Sequence, residues 1–251
     1  MRAIWTGAIG FGLVNIPVKI FSAITESRPD FDLLDRKDHQ RIRYQRVNDR
    51  TGKEVSWENI VKGYLLNDDY VILEDADFED ASPEKNKMIM LRAFVKTEEI
   101  ENIYYDTPYY LQPQKGGEKA YSLLFSALKK TKMAGLSTFV MRTAESLALI
   151  RPYDNILILN KLRFREEIRP VEELKISTDS KISKQEMDMA VQLIRRHSSA
   201  FDISGYRDEY SRELMKIIRA KAKGKRPTIR KLKIGKTKSS DLLEQLKASL
   251  A

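Results

Sequence analysis

The chain has 251 residues, 42% of them hydrophobic, which is enough to build the core of one large domain or two modest ones and excludes a disordered protein. It has no cysteine, which excludes disulfides and thiolate metal sites and agrees with a reducing compartment. Its net charge of +9 is local: ten basic residues and no acidic one lie between Arg219 and Lys238, leaving the rest close to neutral. The signature of a polyanion partner therefore belongs to a tail and not to the whole fold.

From the N-terminus, Val14, Ile16, Val18 and Ile20 alternate with Asn15, Pro17 and Lys19, the pattern of a half-buried strand. Pro17 has no N–H and suits an edge or a bulge, and Gly7, Gly10 and Gly12 mark a turn or a close backbone approach before it. The same residues argue against a signal peptide in the apolar start, and no other run is long enough to span a bilayer, so a soluble, cytoplasmic protein is expected. Gln40–Val47 sets Arg41 and Arg43 against Ile42 and Tyr44 as a strand would, residues 49–52 are a turn signal, and Val71–Leu73 is a short strand. Lys87–Val95 is apolar on both faces, which predicts a buried strand. The segment 118–132 breaks the pattern: Tyr121, Leu124, Phe125 and Leu128 fall at helical spacing, and Lys129, Lys130 and Lys132 suit a helix C-terminus. Leu136–Arg142 and Leu147–Arg151 read as a hairpin joined around Glu145-Ser146. Ile156–Leu159 then flows into a stretch with Lys161, Arg163 and Arg165 on one face and Leu162 and Phe164 on the other. Many short strands with one packed helix predict a mainly β fold, a barrel or a strongly curved sheet.

After Lys175 the period changes. Ser183 and Glu186 form a capping-box signature ahead of a helix striped by Met187, Val191 and Ile194. Tyr210, Leu214, Ile217 and Ile218 stripe a second helix that ends at Gly224. A basic linker follows, and then Leu242, Leu243, Leu246 and Leu250 on one side of a short amphipathic helix, marginal until something covers its leucines. The expected organisation is a core over 1–180, a helical arm over 181–224 and a basic tail over 225–251.

No catalytic constellation stands out. His39 and His197 lie far apart without ligand-spaced neighbours, and Gly235-Lys236-Thr237 lacks the first glycine and the strand-to-helix setting of a P-loop. Lys115-Gly116-Gly117 reads either as a turn feeding a helix or as a phosphate cradle at its N-terminus. The cluster of Glu74, Asp75, Asp77, Glu79 and Asp80 reads either as a solvated helix or as the carboxylates of a metal-dependent nuclease. The nucleotidyl-transfer lysine motif Lys-x-Asp-Gly is absent. The expectation is a protein without catalysis, cofactor or metal that acts by binding. Candidate nucleic-acid contacts are Arg41, Arg43 and Arg46, the Lys161, Arg163 and Arg165 face, and Lys221, Lys223, Lys225, Arg226, Arg230, Lys231 and Lys233 of the tail. Arg142 and Arg151 read more plainly as surface charges.

Residues 2–21 as a whole, from Arg2-Ala3-Ile4-Trp5 to Lys19-Ile20-Phe21, resemble the opening of the bacterial Ku family. The resemblance continues through Leu33-Leu34-Asp35-Arg36-Lys37-Asp38-His39, Ile42-Arg43-Tyr44, Ile60-Val61-Lys62-Gly63-Tyr64, the block from Pro108 to Tyr121, and Tyr206-Arg207-Asp208-Glu209-Tyr210. It covers roughly residues 1–224. Asn48 stands where many relatives carry a cysteine, a departure that weakens any metal-site idea.

The resemblance implies a Ku-type β-barrel with bridging strands, and a scaffold that binds the ends of broken duplex DNA as a ring-shaped homodimer in non-homologous end joining. It also implies recruitment of an ATP-dependent DNA ligase through the C-terminal region, here roughly 203–224, with the leucine stripe at Leu242, Leu243 and Leu246 as the other candidate. Met187, Val191 and Ile194, and Tyr210, Leu214 and Ile217, are the candidates for dimer or partner contact. A nuclease built on the 74–80 carboxylates and a nonspecific nucleic-acid-coating protein are the competing expectations.

Overall fold

The computed structural model describes residues 1–81, 87–141, 144–176 and 182–225. The N-terminal alternation folds as expected: β1 (Trp5–Phe11) turns back into β2 (Val14–Ser22), with Ile9, Ile16, Val18 and Ile20 fully buried. The chain then leaves the sheet for a long insert, in which, among the described residues, β3 (Lys62–Leu66) and β4 (Asp69–Leu73) pair only with each other and the short α1 (Asp75–Asp80) follows. It returns through β5 (Met88–Lys96), β6 (Tyr105–Pro113), α2 (Glu118–Thr131), β7 (Met133–Met141), β8 (Ala144–Tyr153) and β9 (Ile156–Leu162). These strands close a barrel in the order β1-β2-β6-β9-β8-β7-β5.

Closure depends on one short parallel seam, where Ala8, Ile9 and Gly10 face Met88, Ile89 and Met90. Gly7 makes that approach possible, because a Cβ there would lie 2.1 Å from the Lys87 carbonyl and 2.2 Å from the Trp5 ring. Trp5 in turn packs edge-on against Phe139, 6.2 Å between centroids, and its indole N–H donates to the Val140 carbonyl.

The helix follows the predicted spacing and ends at Lys132, which caps it in a left-handed conformation. Tyr121, Leu124 and Leu128 enter the same buried cluster as Leu111, Phe139, Ile150, Leu157 and Leu159. The Tyr121 hydroxyl donates to the Leu111 carbonyl and accepts from the Leu157 N–H, both at 2.7 Å, and so bridges two register partners at the end of the β6–β9 ladder.

Three local expectations need correction. Pro17 is at no edge, since the barrel is closed; it sits just past the end of the β2–β6 pairing, where its carbonyl accepts from Gln114 and no ladder N–H is required. The hairpin does not turn at Glu145-Ser146, which pair with Val140 and Phe139 inside β8, and the pairing continues to Met141 with Ala144; Arg142 lies outside the described residues. β5 is buried fully only at Ile89, because a bulge between Leu91 and Ala93 turns Arg92, Ala93 and Phe94 outward.

The chain divides into two compact units, one of residues 1–26 with 32–170 and one of 27–31 with the residues from 171 on. In the second, Ser183 caps α3 (Lys184–His197) through the expected box with Glu186. Asp208 caps α4 (Glu209–Ala222), accepting from the Ser211 N–H and hydroxyl. Gly224, at φ +72°, ends α4 in a Schellman turn, with its own N–H on the Lys221 carbonyl and the Lys225 N–H on the Ala220 carbonyl. Among the described residues no helix is long and apolar enough to cross a membrane.

Candidate nucleic-acid interface

The insert carries the first basic group, but not on a regular strand. Residues 40–47 are extended with single bridges at Arg41 to Leu34 and Val47 to Glu54, so the alternation of Arg41 and Arg43 with Ile42 and Tyr44 yields a wholly exposed loop limb. Short runs without a second neighbour strand do not make a sheet. Arg41 is ion-paired with the exposed Asp32. Arg46 lies over the Trp57 ring, 4.4 Å from its centroid. Arg43 lines a polar hollow with Asp32, His39, Gln40 and Arg41. Asn48 organises the turn below, its side-chain oxygen accepting from the Arg50 and Thr51 N–H groups.

The predicted Lys161, Arg163 and Arg165 face is broken. β9 ends at Leu162 and Arg165 opens a single 3-10 turn, so the three do not share one strand face. Lys161 and Arg163 do converge, on Asp106, at 3.7 and 3.4 Å, and Arg163 also donates to the Tyr105 carbonyl. Both cations keep about 40% of their side-chain surface, so the carboxylate holds them loosely, as surface pairs do. Arg151 is engaged by the Asn160 side chain. Asp106 escaped the sequence reading because it lies more than fifty residues away and a register shift in β6 sets its side.

In the second unit Lys221 and Lys223 occupy the last turn and C-cap of α4, and Lys225 follows Gly224; all three suit the negative end of the helix. Arg226, Arg230, Lys231, Lys233, Leu242, Leu243, Leu246 and Leu250 lie outside the described residues. The α3 stripe is displaced. The partly covered positions are Glu186, Met189, Ala190, Val191 and Leu193, so Met187 and Ile194 face outward. On α4, Leu214 and Ile217 are partly covered and Tyr210 is exposed.

The Gly116 N–H donates to the Glu118 carboxylate at 2.8 Å, which fills the would-be phosphate cradle with an acid. The 74–80 acids form the exposed α1 and its cap, with Lys62 near Asp75 at 3.6 Å and over the Phe78 ring. Among the described residues no group of acids and histidines is gathered to hold a metal ion. His39 and His197 are both exposed and on different units.

Comparison with known proteins agrees with this architecture. The family model described as the Ku70/Ku80 beta-barrel domain matches residues 10–189. A protein of Coxiella burnetii named "Non-homologous end joining protein Ku" is 38% identical, with 99% of this chain and 94% of that protein covered. Proteins of the same name from Archaeoglobus fulgidus and Pseudomonas aeruginosa are 41% and 39% identical, covering 100% and 88% of this chain and 98% and 77% of their own. With a family model that matches most of the chain, from the end of β1 through β9, and relatives this similar along nearly all of its length, the chain belongs to the Ku family.

Proposed function

We propose that two copies of this chain form a ring that binds double-stranded DNA ends without reading sequence, in non-homologous end joining, and that the ring recruits and stimulates an ATP-dependent DNA ligase without catalysing a step itself. The observation that carries the reading is the insert between β2 and β5. In the single chain β3 and β4 expose Tyr64, Leu65, Leu66, Tyr70, Val71 and Ile72, which are consecutive residues and therefore occupy both faces of the hairpin. A two-stranded ribbon is marginal in water, and this much exposed apolar surface marks an interaction site. A second copy related by a dyad supplies a matching surface and gives a closed assembly.

Ring closure accounts for end specificity. Phosphate contacts cannot distinguish an end from the middle of a duplex, whereas an enclosing dimer admits only DNA that has an end to thread. Arg41, Arg43, Arg46, Lys161 and Arg163 are the phosphate contacts proposed for the core, with the tail lysines and arginines adding nonspecific affinity. The ligase contact is assigned to the arm over 203–224, supported by the exposed Ile203, Tyr206 and Tyr210. Met187 and Ile194 are a further apolar partner surface in the second unit. A setting with access to the chromosome follows from the role.

The test is competition between one plasmid in linear and covalently closed form, alongside the mass by sedimentation equilibrium. A dimer that prefers the linear form is expected. A strictly monomeric protein, or equal affinity for both forms, overturns the proposal, and equal affinity favours a coating protein.

A further inference from the structure

The Arg46–Trp57 pair lies in a hairpin whose register is defined by two bonds, Val55 N–H to the Arg46 carbonyl and Asn48 N–H to the Lys53 carbonyl. Arg46 therefore faces Val55; Trp57, two residues on, opens a 3-10 turn with its ring under the Arg46 guanidinium, and Tyr44, two residues before Arg46 on the extended limb, falls on the same side of it. Tyr44 is 83% and Trp57 70% exposed, so the guanidinium covers part of one indole face and leaves the rest open. The limb that supplies this face, 40–47, holds three arginines and no acid.

We infer that this hairpin is a stacking platform for unpaired bases, through which the protein binds single-stranded extensions at a DNA end. Three features favour that occupant. Flat π surfaces flanked by arginine suit nucleobases of any identity, since every base has a π face. Arg46 places positive charge at the rings, and Arg43, on the opposite side of the same limb, adds to the field that attracts a phosphate backbone. A duplex keeps its bases stacked inside, so it offers this face only phosphates and groove edges, and exposed aromatic rings gain little from it. The inference rests on the end-binding reading above and adds a class of end to it.

The experiment uses the full chain and three DNAs: a blunt linear duplex, the same duplex with a ten-nucleotide 3′ oligothymidylate extension, and a closed circle. The two tryptophans differ, Trp5 being packed on Phe139 and Trp57 exposed. The Trp57 signal is therefore the emission that disappears in Trp57→Phe. Expected are quenching of that signal by the extended duplex but not the blunt one, and a preference for the extension on the order of tenfold that collapses in Trp57→Ala. An undiminished preference in Trp57→Ala, or no quenching, overturns the inference while leaving end binding intact. Trp57 shielded from iodide in free protein, with Trp57→Ala falling apart into monomers, also overturns it by making the platform a subunit contact. If linear and circular DNA bind equally, end binding fails on its own. Oligothymidylate alone then decides the platform: quenching of Trp57 supports it and silence overturns it.

Discussion

Replacing Tyr121 by Phe removes one oxygen atom and keeps the ring. The consequences are disproportionate because that oxygen joins two strands. Its partners, the Leu111 carbonyl and the Leu157 N–H, belong to residues that are 1% and 0% exposed. Each backbone group left unpaired in such a place costs roughly 1–3 kcal/mol. Two offsets apply: Leu111 and Leu157 are register partners and can draw together, and Leu111 and Tyr121 line an open cavity of about 490 Å³ through which a water can reach them. The net loss is therefore set at about 2–4 kcal/mol, or a fall in melting temperature of about 5–15 °C for a unit of this size. Urea unfolding followed by far-ultraviolet circular dichroism, at one fixed protein concentration, measures it. A loss below about 0.5 kcal/mol, less than one ordinary hydrogen bond, would refute the reasoning.

The same substitution has a signature in pH. Burial pushes the Tyr121 phenol above its ordinary value, with the Leu157 N–H bond opposing in part. As pH rises past about 10, the unfolded chain gives up this proton while the folded chain retains it, so folded protein binds more protons and stability falls. Tyr121→Phe has no such proton. The stability gap between native chain and variant is expected to narrow as pH climbs above that range. A gap that widens would contradict the assignment.

Other expectations follow from neighbouring groups. A Cβ on Gly117 would stand 2.9 Å from the Pro17 ring carbons, so Gly117→Ala should cost about 1–3 kcal/mol in chemical unfolding, with part recovered by adding Pro17→Ala. Asp106→Asn frees Lys161 and Arg163 from their carboxylate, and should tighten binding to linear duplex about two- to fivefold in low-salt titrations if those cations meet phosphate. Ending the chain after Lys225 removes Arg226, Arg230, Lys231, Lys233, Lys236 and Lys238, and should flatten the log-log salt dependence of DNA binding by about 0.9 for each phosphate that is no longer neutralised. Hydrogen bonds from Ser183 to Glu186 and from Ser211 to Asp208 hold both carboxyls below their usual range. The caps they support are complete at neutral pH and disappear as pH falls through the folded-state values. Amide protection in the first turns of α3 and α4, measured against the intrinsic exchange rate at each pH, should fall on acidification, and Ser183→Ala should lower it in α3 already at neutral pH.

What could be read in the sequence was whatever depends on near neighbours along the chain. The period that places Tyr121, Leu124 and Leu128 on one side, the Ser183–Glu186 box and the glycine that ends α4 are all set within a few residues, and all were legible. Tertiary register was not. The chain turns after Leu162, so Arg165 leaves the face assigned to it, and a hairpin tightened by a few residues takes Glu145 and Ser146 into β8. Asp106, the Arg46–Trp57 stack and the Tyr121 bridge all depend on which strands become neighbours. In α3 the stripe expected at Met187, Val191 and Ile194 is not the covered side, which centres on Glu186, Ala190 and Leu193, a rotation that leaves Met187 and Ile194 outward. Apolar periodicity says that a helix has a face to cover. It does not say what covers it.

That distinction bears on how the molecule is held together. The barrel buries its own core, with Ile9, Val18, Ile89, Leu149 and Leu159 all fully enclosed, and needs nothing from outside. The insert is the opposite case: between residues 32 and 81, Val55, Leu73 and Phe78 are the positions that are even partly covered. In the proposed ring its order comes from the second copy, and anything that binds the folded form alone stabilises by mass action. Two transitions are expected on heating, an early one for the insert that moves up with protein concentration and a later one for the barrel that does not. Hydrogen exchange separates them, since amides of β3 and β4 should be protected only where the dimer is populated. If β3 and β4 exchange as slowly in dilute protein as in concentrated protein, the insert is stable by itself and its exposed surface no longer calls for a second copy.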